Sequence, residues 1–269
     1  MQISFLLIAF FLSSGTAMLL AQQTAPDQPS PQQVPPPSPS AQTTLPPQPP
    51  PAPVPPGPVI VLDPAHGGTD SGARGASGAV EKDIVLQFAR TVRAELERQG
   101  YRVVMTRNDD SNPSHDDRAA IANSHRDAIF ITLHISSTGT VGTARTYYYQ
   151  FPSPLASPAS SPALNSGSPP PSGLVIWDDA QRAFDEASHR LADVLQAQLA
   201  QLFTGSPRAS TGAAVRELRS VTAPAVAVEI SSVSVPNVGS LAAMTAPLAT
   251  AIVKTVLLFR PVSRAAARQ

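Results

Sequence analysis

The chain has 269 residues, a length that allows one or two domains, but its 30 prolines leave much of that length unsuited to a packed core. We therefore expect a single folded domain. Lysine plus arginine equals aspartate plus glutamate at 19 each. This balance argues against a nucleic-acid partner, because such binding depends on basic side chains that neutralise phosphates.

The N-terminus is predicted to be a secretory signal. Residues 4–20 form an apolar stretch, and small and polar residues follow it from Ala21. We assign residues 1–21 to the signal peptide and expect a periplasmic or extracellular protein. No lysine or arginine precedes the apolar stretch. An uncleaved membrane anchor therefore stays open as the alternative, and it is the only membrane contact that we expect.

Residues 22–57 consist almost entirely of proline, glutamine, serine, alanine and threonine. Such a composition cannot bury enough apolar area to offset the entropy of ordering, so it predicts a disordered linker. In polyproline II form, at about 3.1 Å per residue, the linker would reach on the order of 100 Å. It would hold the following domain well away from a membrane.

The folded domain is predicted over residues 58–260, with a C-terminal tail at 261–269. Apolar runs predict strands at 59–62, 101–106, 128–135, 143–150 and 223–230. Apolar residues at helical spacing predict helices from Glu81 to the cap at Gly100, and at 116–123, 178–203 and 241–259, the last with a kink or restart at Pro247. This alternation predicts an α/β fold with a mostly parallel or mixed sheet and helices on both faces.

The segment 151–173 is rich in proline, serine and alanine. We expect a surface insertion without fixed structure, and we expect it to leave the site open.

Two of the predicted strands deliver a histidine at their carboxyl ends. His66 follows the first apolar run beside a proline and a glycine pair, and His134 ends the third run. Open α/β sheets place their sites at this edge. With Glu81 at the start of a helix, the chain offers two imidazoles and a carboxylate, the ligand set of a catalytic zinc site with a fourth position for water. Taken singly, each histidine could be structural, and a helix dipole alone favours a glutamate in the first turn.

Four segments resemble the zinc-dependent N-acetylmuramoyl-L-alanine amidases of the type 3 family, which cleave peptidoglycan. They come in the family's order and with similar spacing: Asp63-Pro64-Ala65-His66-Gly67-Gly68, Glu81-Lys82-Asp83, Leu133-His134-Ile135-Ser136 and Pro224-Ala225-Val226-Ala227-Val228-Glu229. The resemblance implies that His66, Glu81 and His134 bind Zn²⁺. It further implies that Glu229 is the general base, which takes a proton from the zinc-bound water and hands it to the leaving amine.

The chain departs from the family's pattern in three segments. Ala65 replaces the usual glycine before the first histidine, and Ser136 stands where an asparagine commonly follows the second. Ser231-Ser232 replaces the usual Gly-Phe shortly after the catalytic glutamate. We expect these residues to line the site rather than bind the metal, so they bear on substrate fit and turnover.

Other polar residues near the motifs have open roles. Asp63 either supports a metal ligand or caps the following turn. Arg107 and Arg118 match arginines common in the family and either bind substrate or brace the fold. The remaining histidines match no motif and are predicted to be surface residues: His115, His125 and His189.

The leading functional prediction is a secreted, monomeric zinc hydrolase that acts on peptidoglycan. It would cut the amide bond between N-acetylmuramic acid and the first L-alanine of the stem peptide. A catalytically weak or inactive peptidoglycan-binding relative is the main alternative, and a zinc peptidase acting on free peptides is another. The presence of all three ligands together with Glu229 favours the amidase.

Overall fold

The computed structural model describes residues 57–152 and 177–259. The predicted signal peptide, nearly all of the predicted linker, most of the insertion at 151–173 and the tail at 261–269 lie outside these residues. Their assignments stay predictions, as do the domain bounds.

A six-stranded sheet organises the described part of the chain. Its strands are β1 Ile60–Pro64, β2 Val103–Met105, β3 Ile129–Ser136, β4 Ala144–Tyr149, β5 Thr211–Ala213 and β6 Ala225–Ser232. Their order is β2-β1-β3-β6-β4-β5. β2, β1, β3 and β6 run parallel to one another, whereas β4 is antiparallel to β6 and parallel to β5. The sheet is therefore mixed, which confirms the predicted fold class.

The helices lie in two layers. They are α1 Glu81–Arg98, α2 His115–Asn123, α3 Asp185–Leu202, α4 Arg216–Arg219, α5 Gly239–Ala242 and α6 Thr245–Leu258, and a 3-10 helix spans Trp177–Phe184. Ile60 and Leu62 of β1 pack in a core with α1, α3 and α6, while Val61 packs in a second core with α2 and α4. Successive strand residues thus face opposite helical layers, as the side-chain alternation of a strand requires.

The apolar side chains that predicted α1 from the sequence pack into the larger hydrophobic core. Val85, Phe88, Val92 and Leu96 are fully buried in the larger core. Burial of such side chains stabilises by about 1.5–3 kcal/mol each. The helix is thereby fixed against the sheet, with its first residue, Glu81, at the edge where the strands end.

Two helix predictions differ from the structure. The predicted helix at 178–203 begins as the 3-10 segment and becomes α-helical only at Asp185. Buried Gln181 donates to the carbonyl of Ala223 and to Ser188 Oγ, and these long-range bonds fix the 3-10 turn in a way that periodicity cannot reveal. The closing helix restarts at Thr245, so Pro247 lies in the first turn of α6, where its missing N–H costs little.

The closing helical segment is also the one described stretch that is long and apolar enough to cross a membrane, Gly239–Leu258. Leu248, Ile252 and Val256 are nevertheless buried in the larger core. The segment therefore packs as a core element, which accounts for its composition.

Candidate metal centre and catalytic cleft

His66, Glu81 and His134 converge where β1, α1 and β3 meet. One potential ligand atom from each lies within 4.8 Å of the others. Nε2 of His66 and Nδ1 of His134 each lie 3.2 Å from Oε1 of Glu81. The two imidazole rings stand at 88° to each other, with centroids 5.4 Å apart. The three side chains named from the sequence are thus brought together, although they are separated by up to 68 positions in the chain.

The carboxylate of Glu81 is fixed from both sides by backbone donors. Its Oε1 accepts a hydrogen bond from the N–H of Ile135 at 2.9 Å, and its Oε2 accepts one from the N–H of Ala73 at 2.7 Å. Glu81 is only 3% exposed. A glutamate placed there merely by the helix dipole would point to solvent, so the dipole alone does not account for this position.

The backbone at His66 is held in an unusual conformation. His66 has a φ of 62°, which a residue with a side chain adopts at a cost of order 1–2 kcal/mol. The guanidinium of Arg118 donates to the carbonyl of His66 at 2.9 Å, and that of Arg107 donates to the carbonyl of Ala65 at 2.8 Å. These bonds hold the turn that aims the imidazole at Glu81.

The two arginines brace the end of β1. Arg118 and Arg107 are 4% and 3% exposed, and both also donate to the carbonyl of Pro64. Arg118 further pairs with Asp63 at 2.6 Å. Of the two roles that the sequence left open, bracing the end of β1 is the one that the contacts support.

Asp63 is linked to the cluster through Arg118, which donates to the carbonyl of His66. Its Oδ1 accepts hydrogen bonds from Thr106 Oγ1 at 2.5 Å and from Arg118, so the carboxylate neutralises a buried guanidinium. The carboxylate that contacts a histidine of the cluster belongs to Asp70, whose Oδ2 lies 2.8 Å from Nδ1 of His66. A carboxylate on the far nitrogen fixes the tautomer that leaves Nε2 free for a metal. Nothing in the hydrophobic pattern distinguishes Asp70, because it lies in a glycine-rich loop.

Gly72 lies directly against the cluster. A Cβ at this position would lie 2.5 Å from Oε2 of Glu81 and 2.6 Å from Cδ2 of His66, and its φ is +61°. Only glycine therefore leaves the donors in place. Two imidazoles and a carboxylate, closely grouped and with a face open to the cleft, fit a zinc ion.

In the metal-free cluster, the hydrogen bonds between the histidines and Glu81 shift the pKa values of His66 and Glu81. The hydrogen bond with Glu81 raises the pKa of His66 to about 9, against the effect of burial, and the contact with Asp70 adds to the rise. Burial by itself would raise the pKa of Glu81, but hydrogen bonds from His134, His66 and the N–H of Ala73 together hold it well below its usual range. Protons shared in this way would have to leave when a metal binds.

Glu229 lies beside the cluster on β6. It is opposite His134 in the parallel pairing of β3 and β6, so both side chains lie in one row across the sheet. β6 continues to Ser232, two residues beyond the predicted strand at 223–230. The hydroxyl of Tyr147 on β4 donates to Oε2 of Glu229 at 2.7 Å. Tyr147 had no assigned role from sequence, although alternation along its strand puts Tyr147 and Tyr149 on one face and Tyr148 on the other.

Two cavities meet at the cluster. One, of about 420 Å³, is lined among others by His66, His134, Tyr147 and Glu229. The other, of about 460 Å³, is lined by His66, His134 and residues of the segment before and at the start of α2. Glu217 of α4 lines both. His66 and His134 thus line both cavities, and Glu81 lines the 420 Å³ cavity.

The three histidines predicted as surface residues have different surroundings. His189 is exposed and stacks on Tyr148, with ring centroids 4.2 Å apart. His125 is partly exposed. His115, by contrast, lines the 460 Å³ cavity, and its Nδ1 lies 3.8 Å from Oε1 of Glu217. It is part of the cleft wall rather than of a featureless surface.

The departures from the expected motif do not all line the cleft. Ser136 lines the 420 Å³ cavity and Ala65 the 460 Å³ cavity, as predicted. Ser231 and Ser232 are buried and line neither. Ser231 has a φ of 55°, the left-handed region that favours glycine, the residue that the resemblance implies at this position.

The sequence is similar to known amidases. Residues 60–256 match the family model described as N-acetylmuramoyl-L-alanine amidase. The amidase AmiC of Escherichia coli O6:H1 is 47% identical over 77 residues, which is 28% of this chain and 18% of that protein. The sporulation-specific amidase of Bacillus subtilis is 38% identical over 85 residues, which is 31% of this chain and 33% of that protein. The chain therefore aligns with about a third or less of these curated relatives.

Solved structures extend the likeness over the described fold. The amidase AmiC2 of Nostoc punctiforme is 26% identical with a TM-score of 0.55, and the match covers 75% of this chain and 96% of that one. The amidase Ami1 of Mycobacterium smegmatis is 23% identical with a TM-score of 0.55, covering 76% and 97%. The second likeness concerns the fold alone.

Proposed function

Because this chain belongs to the N-acetylmuramoyl-L-alanine amidase family, we propose that it is a secreted, monomeric zinc hydrolase of peptidoglycan. It would cleave the amide bond between N-acetylmuramic acid and the first L-alanine of the stem peptide. The observation that carries the proposal is the His66–Glu81–His134 cluster, with all three potential ligand atoms within 4.8 Å of one another and Glu229 in the same cavity.

His66, Glu81 and His134 would hold the metal, and their surroundings suit that role. Asp70 orients His66, while the N–H groups of Ile135 and Ala73 fix both oxygens of Glu81. Because these side chains are already held in position, metal binding does not cost the conformational entropy of ordering them. A bound zinc ion would supply a Lewis acid that lowers the pKa of a water molecule towards about 7 and polarises the scissile carbonyl.

Glu229 would move the protons of the reaction. Its carboxylate takes a proton from the attacking water, and the same carboxyl group then protonates the amine of the departing L-alanine. The 420 Å³ cavity gives Glu229 access to the reacting bond, since Glu229, His66 and His134 line the same space. A glutamate that served only the fold would have no need of this access.

Metal content and product analysis test the proposal. We expect the full chain to hold one zinc ion and to release intact stem peptides from purified sacculi, as detected by mass spectrometry. His66→Ala and His134→Ala should lose the metal, because removing one of three protein ligands lowers affinity steeply. His189→Ala is the matched control, since this exposed histidine stacks on Tyr148 and lines neither of the two cavities.

Glu229→Gln separates the base from the ligands. This variant should keep its zinc and its fold while turnover falls by roughly a hundredfold to ten-thousandfold, the usual contribution of a general base.

Equal zinc in the wild type and both histidine variants would contradict the ligand assignment. Zinc binding and sacculus binding without any release of peptide would identify a non-catalytic relative, and cleavage within stem peptides would identify a peptidase.

A further inference from the structure

The reversed direction of β4 places a tyrosine beside the candidate base. In the antiparallel pairing of β4 and β6, Tyr147 is opposite Ala227 and Arg145 is opposite Glu229. Residues two apart on a strand share a face, so Tyr147 is a diagonal neighbour of Glu229. Its hydroxyl donates to Oε2 of Glu229 at 2.7 Å, and both side chains line the 420 Å³ cavity.

This contact constrains how the carboxylate can act. A hydrogen bond to a charged acceptor is among the stronger ones, and it fixes the rotation of the carboxylate about its last side-chain bond. The tyrosine bond is made to one oxygen, and among the described residues no second hydrogen bond to the Glu229 carboxylate occurs. Oε1 is therefore the oxygen left for a proton of the substrate or of water.

The phenol is suited to remain a donor. Burial and the hydrogen bond to Glu229 raise the pKa of Tyr147, while the nearby Arg145 acts in the opposite direction. A tyrosine with a pKa above its ordinary value of about 10 stays protonated at neutral pH. It can therefore hold the carboxylate without exchanging its own proton.

We propose that Tyr147 is a positioning residue: its hydroxyl holds Oε2 of Glu229 so that Oε1 faces the reacting bond. This role rests on the proposed function of Glu229 as general base. The neighbouring Tyr148 provides a matched comparison on the same strand. It faces the other side of the sheet and stacks on His189 instead of contacting Glu229.

Kinetics of four variants of the full chain on a soluble muropeptide test the role: Tyr147→Phe, Tyr148→Phe, Glu229→Gln and the Tyr147→Phe/Glu229→Gln double variant. Tyr147→Phe should lower kcat by about ten- to a hundredfold, the range for losing a hydrogen bond to a charged group, with KM within about twofold and zinc content unchanged. Tyr148→Phe should leave kcat within about twofold, because its hydroxyl makes no contact with Glu229.

The double variant shows whether Tyr147 changes kcat through Glu229 or by contacting the substrate itself. If Tyr147 acts through Glu229, its replacement in the Glu229→Gln background should lower kcat by less than about twofold, since residues that act as a unit are non-additive. An equal loss in both backgrounds would show that Tyr147 contacts the substrate itself, which overturns the positioning role. An unchanged kcat in Tyr147→Phe overturns it as well.

A crystal structure of Tyr147→Phe keeps this test independent of the proposed activity. We expect the carboxylate of Glu229 to rotate or to occupy several orientations, while the cluster of His66, Glu81 and His134 stays in place. A carboxylate in its original orientation would refute the positioning role even in an active enzyme. Absence of peptide release by the wild type would instead refute the proposed function, with the rotation still deciding whether Tyr147 orients Glu229.

Discussion

Gly72→Ala should weaken zinc binding without disturbing the hydrophobic cores. The new Cβ would lie 2.5 Å from Oε2 of Glu81, 2.6 Å from Cδ2 of His66 and 2.9 Å from Cδ of Glu81. Nonbonded heavy atoms prefer separations of about 3.5–4.0 Å, so the loop or the two ligands must move by about 1 Å. The substitution thus acts on two of the three candidate ligands at once.

The expected loss has two parts. Any residue other than glycine at a φ of +61° is strained by roughly 1–2 kcal/mol, and this part lowers stability whether or not a metal is bound. The contact with Glu81 and His66 acts on the metal site itself. Disturbing the groups that orient metal ligands typically costs about 10–100-fold in affinity, and we expect a loss of at least this size.

Gly78→Ala separates the two parts. Gly78 has a φ of +85°, and a Cβ there meets nothing within 4 Å, so this variant carries the backbone strain alone. Zinc affinity would be measured by competition with a chromophoric chelator, and stability by urea unfolding of the metal-free proteins. We expect both variants to lose stability and only Gly72→Ala to lose affinity. Zinc binding by Gly72→Ala as tight as by Gly78→Ala would refute the placement of the loop against the metal site.

Two further predictions follow from the backbone at Ser231 and from the pKa of His66. Ser231→Gly should be more stable than Ser231→Ala by about 1 kcal/mol in urea unfolding, because both lose the hydroxyl that accepts from the N–H of Gly142 while only glycine relieves the φ of 55°. Equal stability of the two variants would show that the strain is absent. In the metal-free protein the pKa of His66 is raised to about 9, so its stabilising contribution is complete below about pH 6.5 and is lost as the pH rises through 9. The unfolding temperature of the metal-free protein, measured with a chelator present, should fall as the pH rises over this range. The affinity for zinc should increase over the same range, because the proton that competes for His66 leaves. An unfolding temperature that does not change from pH 6.5 to 9 would contradict the pairing of His66 with Glu81.

The longer strands and helices and the candidate ligands could be predicted from the amino-acid sequence alone. Strand residues such as Ile60, Val61 and Leu62 are apolar throughout because both faces of the sheet are covered by helices, and such runs are visible without a structure. His66 and His134 come at the ends of these runs, where a parallel sheet gathers side chains at one edge. The order and chemistry of these motifs were enough to name the family.

The contacts between polar groups, by contrast, could be assigned only from the folded structure. Asp63 and Asp70 are both near His66 in sequence, yet Asp63 pairs with Arg118, 55 positions away, and Asp70 contacts the imidazole. The antiparallel direction of β4, which brings Tyr147 to Glu229, depends on how that strand packs and not on its composition. Hydrophobic periodicity shows which face of an element is buried. A hydrogen bond, by contrast, forms only when two backbones that are distant in sequence are placed to within about an ångström. The packed fold as a whole sets that placement.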